Sequence, residues 1–425
     1  MYQFDVDLHI HSPHSIGVSK AITIPMLAKG AKEKGLGILG TGDATQPKWL
    51  EHLRKHLQVK DDIYSFEQVS FIPTVEIEDE ESIHHLILLR DFEAVESFRA
   101  MLKNDSLNLD NDWGGRPRVN LRGSELAGIV RDAGGLIGPA HAFTPFRSIF
   151  RENKHASLKS CYEDETEYIH FLELGLSADS EIADCIAELR PLTFLTCSDA
   201  HSSSPNKLGR EFTRFEMESP TFSEIKLALM RSKGRKCILN VGLDPRLGKY
   251  YLSFCTKCRR TVVIQDGTEA PTFDRLNIYI HCNSESERDK LIHDIQLRKV
   301  KCPADGKPLR LGVRDRAAAI GESVSKSPPH RPRYLHIAPL LDIVTTALAL
   351  SSSSSKSARK LHAHLIQELG SETSILTDVN LERIHKINGR LSSMIKSYRD
   401  GSACYEAGGG GRYGRMIPPW ECESH

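Results

Sequence analysis

Three histidines and an aspartate crowd into the stretch DLHIHSPHS, residues 7–15. In an extended strand alternate side chains share a face, so Asp7, His9 and His11 would point the same way, with His14 just beyond. Two imidazoles two residues apart at a strand end can grip one metal ion. Matching ligand types recur along the chain: Asp43 in GTGDAT, Glu76 and Glu78 in FIPTVEIEDE, His84 and His85 in HHLILL, His141 in GPAHAF, and Asp199 with His201 in TCSDAHSSS. Each follows or ends a short apolar run. Imidazole and carboxylate donors suit divalent cations. Clustered cations acidify a water and neutralise a phosphoryl group during in-line attack, so phosphoester hydrolysis is the chemistry this set predicts. Asp7 is placed to orient His9 or His11, and Arg210 in KLGREF to contact phosphate.

These residues need a scaffold that brings strand ends together. Strand candidates are LGILG (36–40), VSFIPTVEI (69–77), HHLILL (84–89), GGLIGPAHA (134–142), IHFLELG (169–175) and LTFLTCSDAH (192–201). Helical patterns lie between them at 24–34, 92–102, 122–133 and 179–188. Such alternation predicts an α/β barrel or wound sheet over 1–240, with its chemistry at the strand ends. The texture changes over 241–322, where Cys255-Thr-Lys-Cys258 and Lys301-Cys302-Pro-Ala-Asp305 flank a polar stretch with one apolar run. SVSKSPPHRPR (323–333) reads as a linker. Four helical patterns follow within 323–425, with SSSSS (351–355) as a loop or helix connection, and a glycine-rich tail that is not a packed helix.

Composition narrows the class. With 40% hydrophobic and 26% charged residues the chain is an ordinary globular one, long enough for two or three domains. It has no apolar run of membrane-spanning length. The N-terminus MYQFDVDLHIH lacks a basic segment followed by an apolar one, so a cytoplasmic protein is expected. Of ten cysteines only Cys255 and Cys258 are closely paired, a pattern that suits a metal clip better than a disulfide framework. Net charge is zero, yet residues 301–425 carry 18 Lys+Arg against 12 Asp+Glu, leaving the front correspondingly acidic. An acidic front suits cations, and a basic back suits a polyanion.

The ordered motifs resemble those of the PHP (polymerase and histidinol phosphatase) superfamily: HxH, a T-D-H-like motif, a Glu, a His, an AHP-like His and an SDAH-like motif. The resemblance implies a distorted (β/α)7 barrel binding up to three divalent ions, zinc, manganese or magnesium. It implies that His9, His11, Glu76 and Asp199 hold the first, that Glu76 bridges to a second held by His85 and His141, and that His201, Asp43 and His14 hold a third. Asp43 stands where the family has histidine, which favours harder ions. Asp199, Glu76 and His141 are then the catalytic residues. The cysteine segment looks like a small zinc-binding module holding structural zinc, with Cys255, Cys258 and Cys302 joined by Asp305, Cys282 or His281.

Over nearly the full chain, GTGDATQPKW, GVRDR and AGGGGRYGRM resemble endonuclease Q and its bacterial homologues. That implies a DNA repair endonuclease nicking 5′ to uracil, hypoxanthine, xanthine or abasic sites in double- or single-stranded DNA. Recognition would extrude the base into a pocket with a hydrogen-bond donor for the new carbonyl. Gln46, Lys48, Trp49 and Phe143, beside the metal motifs, are candidates with Arg210. The zinc module and basic helices would hold phosphates without reading sequence, as could helix N-termini in GSETS and KINGRLSS. Two alternatives compete: a small-molecule phosphatase, which leaves the cysteine module and helices without a role, and a non-catalytic DNA-binding scaffold. No membrane is expected, and the residues leave protein partners unassigned.

Overall fold

The computed structural model describes residues 1–321 and 327–422. Tyr2–Asp7 runs parallel to Ile38–Gly40, and that strand runs parallel to Val69–Ile72. Pro73 interrupts the run, and Thr74–Glu78 enters a three-stranded sheet with His84–Leu88 and Leu136–Pro139. The last strand packs beside Phe171–Glu173, which pairs in parallel with Thr193–Leu195. A bridge from Ile10 to Ala200 brings the path back to the first strand. The α/β architecture is therefore as expected. It departs from regular alternation at Thr74–Glu78 and His84–Leu88, which form an antiparallel pair with no helix between them. Phe212–Met217 and Lys236–Gly242 extend the first sheet by antiparallel pairing.

Local chemistry sets the helices. Ile24–Lys34 is capped by Thr23, which accepts from the Met26 N–H, carries Pro25 in its first turn, and buries Leu27, Ala28 and Ala31. It stops at Gly35, whose φ of +98° only glycine adopts freely and whose missing Cβ would stand 2.5 Å from Ser371 Oγ.

The segment after Lys236–Gly242 folds as a small five-stranded sheet with the helix Glu285–Gln296. Cys255, Cys258, Cys302 and Asp305 converge there, with donor atoms within 4.8 Å of one another. Cys282 and His281 lie outside that group among the described residues, so Asp305 is the fourth donor the fold supplies. Residues 323–326 of the expected linker lie outside the described residues. By residue 333 the chain is already structured: Arg333–His336 adds an edge strand to the first sheet, parallel to Lys236–Gly242.

The four expected helices follow as Leu340–Ala347, Lys356–Leu369, Leu381–Ile387 and Gly389–Asp400, with a short additional one, Glu372–Thr377, between the second and third. The serine run connects the first two, and Ser355 caps the second by accepting from Ala358 N–H. The glycine-rich tail forms a hairpin, Cys404–Glu406 with Arg415–Ile417, whose loop lies on the cysteine module. Gly410, at φ +61°, would drive a Cβ into the Arg259 carbonyl. Cys404 and Cys422 are joined by a disulfide across this hairpin, which the cysteine spacing did not predict. Among the described residues no helix is long and apolar enough to cross a membrane.

Candidate active site

Beyond Asp7 the first strand runs on irregularly, held by the His11 N–H donating to the Ala200 carbonyl. His9 and His11 are buried with ring centroids 5.2 Å apart. Each ring is anchored from behind. His9 Nδ1 lies 2.7 Å from Glu173 Oε2, and His11 Nδ1 lies 3.0 Å from Asp43 Oδ1. Their Nε2 atoms face the same two carboxylates. His11 Nε2 is 3.1 Å from Asp199 Oδ1 and 3.3 Å from Glu76 Oε2. His9 Nε2 is 3.8 Å from an oxygen of each.

A second group adjoins through Glu76. Its Oε1 lies 2.6 Å from His84 Nδ1 and 2.9 Å from His141 Nε2. His84 Nε2 is tied to Glu78 at 3.2 Å, and His141 Nδ1 meets Thr144 Oγ1 at 3.2 Å. Every one of these four histidines thus has one nitrogen fixed by an outer partner and the other aimed at shared carboxylates. Metal-binding imidazoles are held in this way. Buried His9 Nε2 has no hydrogen-bond partner, and its 3.8 Å gaps to Glu76 and Asp199 match the span of two metal–ligand bonds of about 2 Å. The donor set fits divalent ions.

Electrostatics point the same way. Burial works against a charged His11, yet Asp43, Asp199 and Glu76 raise its pKa to about 10. Burial likewise opposes the imidazolium of His9, and Glu173 and Glu76 hold it well above the usual range. Burial alone would protonate Glu76, but His84, Arg116 and His9 keep it firmly ionised. So much negative charge in one buried pocket draws cations. Arg116 supplies one, its guanidinium donating to Glu76 and standing 3.3 Å from His11 Nε2. Asp43, His141 and Asp199 all have positive φ, a backbone cost that ordinary side chains avoid.

The expected residues divide. His9, His11 and Asp199 form one ligand group, and Glu76 with His141 belongs to a second. The third member of the second is His84, whereas His85 was expected. His85 lies on the opposite face of the strand, with Nε2 at 3.1 Å from Asp79 and Nδ1 at 2.8 Å from Tyr162 Oη. Glu78 pairs directly across from His84 and Ile77 across from His85, so this register alone decides which imidazole faces Glu76.

Asp43 belongs to neither group. Its Oδ2 accepts from Ser12 N–H, Ser12 Oγ and Ser15 Oγ while Oδ1 holds His11, so it orients a ligand. Asp7 does not touch the histidines. It accepts from Ser198 N–H, Ser198 Oγ and Gly209 N–H, fixing the loop that presents Asp199. His14 is turned to the Asp112 carbonyl, and His201 lies beside His11 with its Nδ1 2.9 Å from the Asp199 carbonyl.

A cavity of about 580 Å³ opens over these groups. His84, Arg116, His141, Asp199, His201 and Arg210 line it, together with Phe146, Tyr250, Tyr398 and Tyr413 from the surrounding loops, module and tail. Of the five expected substrate contacts only Arg210 reaches it. Gln46 caps a helix by accepting from Trp49 N–H. Trp49 is buried, its indole N–H donating to the Thr41 and Gly42 carbonyls. Phe143 packs in the core against Phe150. Lys48 is exposed and paired with Asp112. Trp49 and Phe143 are core packing, Gln46 a helix cap and Lys48 a surface ion pair.

Two site residues escaped the sequence reading. Glu173 ends the buried strand Phe171–Glu173, and a lone acid closing FLE was the available signal. Arg116 comes from a long loop with no periodicity to mark it. His84→Gln should lower divalent-ion affinity by about tenfold to a hundredfold with little loss of stability. His85→Gln should instead leave ion binding intact and cost about 1–3 kcal/mol of stability by unpairing Asp79 and Tyr162. Ion titration and denaturant unfolding of both variants check this.

The MJ0043 C-terminal domain family model matches residues 339–402. The Methanocaldococcus jannaschii protein MJ0043 is 31% identical over 281 residues, 65% of this chain; the chain spans only 31% of that protein's length. The crystal structure of the lesion-specific endonuclease PfuEndoQ from Pyrococcus furiosus has a TM-score of 0.86 to this chain and 38% identity, covering 100% of this chain and 97% of that one. A structure of endonuclease Q with a 27-mer duplex bearing an abasic lesion at the active site has a TM-score of 0.84 and 38% identity, covering 98% and 97%.

Proposed function

The chain belongs to the endonuclease Q family, and on that premise we propose that it is a metal-dependent DNA repair endonuclease that cuts the phosphodiester 5′ to deaminated bases and abasic sites. The observation that carries this reading is the full-length likeness to a lesion-specific endonuclease, because the ligand geometry alone does not choose among phosphoesters. We read residues 1–240 as a distorted (β/α)7 catalytic barrel of the PHP kind, 241–322 as a structural zinc module and 323–425 as the helical DNA-holding region.

His9, His11 and Asp199 would hold one ion and Glu76, His84 and His141 another, with Glu76 between them; divalent ions there supply an acidified water and charge neutralisation at phosphorus. The chain's own groups do the rest. Glu173, Asp43, Glu78 and Thr144 hold the imidazoles in place. Arg116 and Arg210, on the cavity wall, are positioned to bind the phosphate oxygens. Aromatic walls at Phe146, Tyr250, Tyr398 and Tyr413 suit an extruded nucleotide and exclude water around it. Uracil and hypoxanthine carry a carbonyl, at C4 and C6, where cytosine and adenine had an amine, so one donor on the wall would serve both; xanthine carries its new carbonyl at C2 and would need a second donor.

Labelled duplexes carrying a single uracil, hypoxanthine, xanthine or abasic site, incubated with Mn²⁺ or Mg²⁺, test this. Nicks 5′ to the lesion, absent on undamaged duplex, abolished by chelation and restored by added ion, are the expected result. Hydrolysis of phosphomonoesters without nicking would make the protein a phosphatase. Binding without any cleavage would make it a scaffold.

A further inference from the structure

Trp113, on the loop that leads into Arg116 of the site, has 53% of its surface exposed, where a large indole normally seeks cover. The loop that bears it is tied down on both sides. The Asn111 carbonyl accepts from Gln46 Nε2, and the Asp112 carbonyl lies 2.9 Å from His14 Nδ1. Beyond the tryptophan, Gly115 N–H donates to the His14 carbonyl, and Arg116 enters the ligand centre. The ring is therefore held outward on a fixed strap and does not hang on a loose one. Lys20 Nζ lies 3.4 Å from the ring centroid, reaching across from the loop that follows the first strand. Three Cα steps, about 11 Å at most, separate Trp113 from Arg116 on the cavity wall.

We propose that Trp113, with Lys20 beside it, is the platform on which a base next to the extruded nucleotide stacks. This rests on the endonuclease reading. Extrusion leaves the neighbouring bases without a stacking partner, and an indole face replaces that partner for any base sequence. The Cα of Trp113 is at most about 11 Å from that of Arg116, a reach of a few base steps at about 3.4 Å of duplex per step. The Lys20 ammonium, which also donates to the Pro13 carbonyl, is then adjacent to the DNA backbone and adds a contact to a phosphate oxygen. Exposed Ile16 and Leu107, on these two loops, give the rim further apolar surface for the opened duplex.

Trp113→Ala and Trp113→Phe are compared with wild type on a uracil duplex and on bis(p-nitrophenyl) phosphate, which is too small to span from the centre to the rim. The expected result is a fall of about tenfold in the ratio of duplex to small-diester kcat/KM for the alanine variant, largely recovered by phenylalanine. In parallel, 2-aminopurine beside the lesion is monitored during binding in chelator. Wild type should quench it and Trp113→Ala should not. An unchanged ratio with unchanged quenching overturns the proposal. So does an equal loss on both substrates with a lowered thermal midpoint, which marks a structural residue. If wild type binds and quenches but does not cut, the endonuclease reading fails while the platform stands; if it does not bind the duplex, both fail.

Discussion

Asp199→Asn should reduce lesion-dependent nicking by about 10³-fold or more while leaving the thermal midpoint within a few degrees of wild type. The carboxylate lies 3.1 Å from His11 Nε2 and 3.8 Å from His9 Nε2. Burial disfavours its charge, yet hydrogen bonding to His11 and the field of His9 hold its pKa far below the usual carboxylate range. That negative charge is half of what draws an ion into the first group, and its loss removes several kcal/mol of stabilisation at the reacting phosphate. Each ~1.4 kcal/mol is tenfold in rate. Asparagine has the same shape and tolerates the left-handed backbone, φ +47°, that the position demands. The loop's tether, Asp7 to Ser198 and Gly209, is untouched. Single-turnover cleavage of a uracil duplex at saturating ion measures the effect. A rate near wild type would remove Asp199 from the reaction.

Much of this centre was legible because ligand types recurred at the ends of apolar runs. What the sequence could not supply was which way each side chain faces. His84 and His85 are neighbours on one strand and so point to opposite faces. The choice between them lies in the pairing of His84–Leu88 with Thr74–Glu78, set by a tight turn that includes Ser82 at φ +59°. No periodicity encodes that register. Asp43 and Asp7 show the same gap: carboxylates beside a metal motif can ligate, orient a ligand or fix a loop, and only the hydrogen bonds tell them apart. The C-terminal helices were legible for the opposite reason. Lys356–Leu369 and Gly389–Asp400 are local objects, each with its own buried stripe and its own cap, Ser355 and Asn388. The Cys404–Cys422 bond needs two segments 18 residues apart to fold back as a hairpin, and spacing does not carry that.

Glu372→Ala should destabilise the protein by about 3–5 kcal/mol, because it strands a buried ammonium. Lys34, at the end of the helix Ile24–Lys34, lies 2.6 Å from Glu372 Oε1, and their side chains are 3% and 1% exposed. The same carboxylate accepts from Leu340 N–H at 2.8 Å and faces His362 Nε2 at 3.2 Å. The pair thus pins the helical region to the α/β domain and fixes the start of Leu340–Ala347. That helix supplies Asp342, Ile343 and Thr346 to the cavity wall, so its position shapes the site. A double variant, Lys34→Met with Glu372→Leu, should recover most of the loss, since apolar packing replaces a buried ion pair at little cost. The acid response separates the two. Burial would raise the Glu372 pKa, but Lys34 and His362 pull it below the usual value. Its contribution is therefore complete above the unfolded value near 4.3 and is lost as pH falls through the lower folded value. Wild type should lose more stability than the double variant over that acid window, measured by urea unfolding at stepped pH. Equal acid sensitivity would mean that the charge on Glu372 does not hold the helices to the α/β domain, and that burial of Leu340, Ile343 and Val344 alone does so.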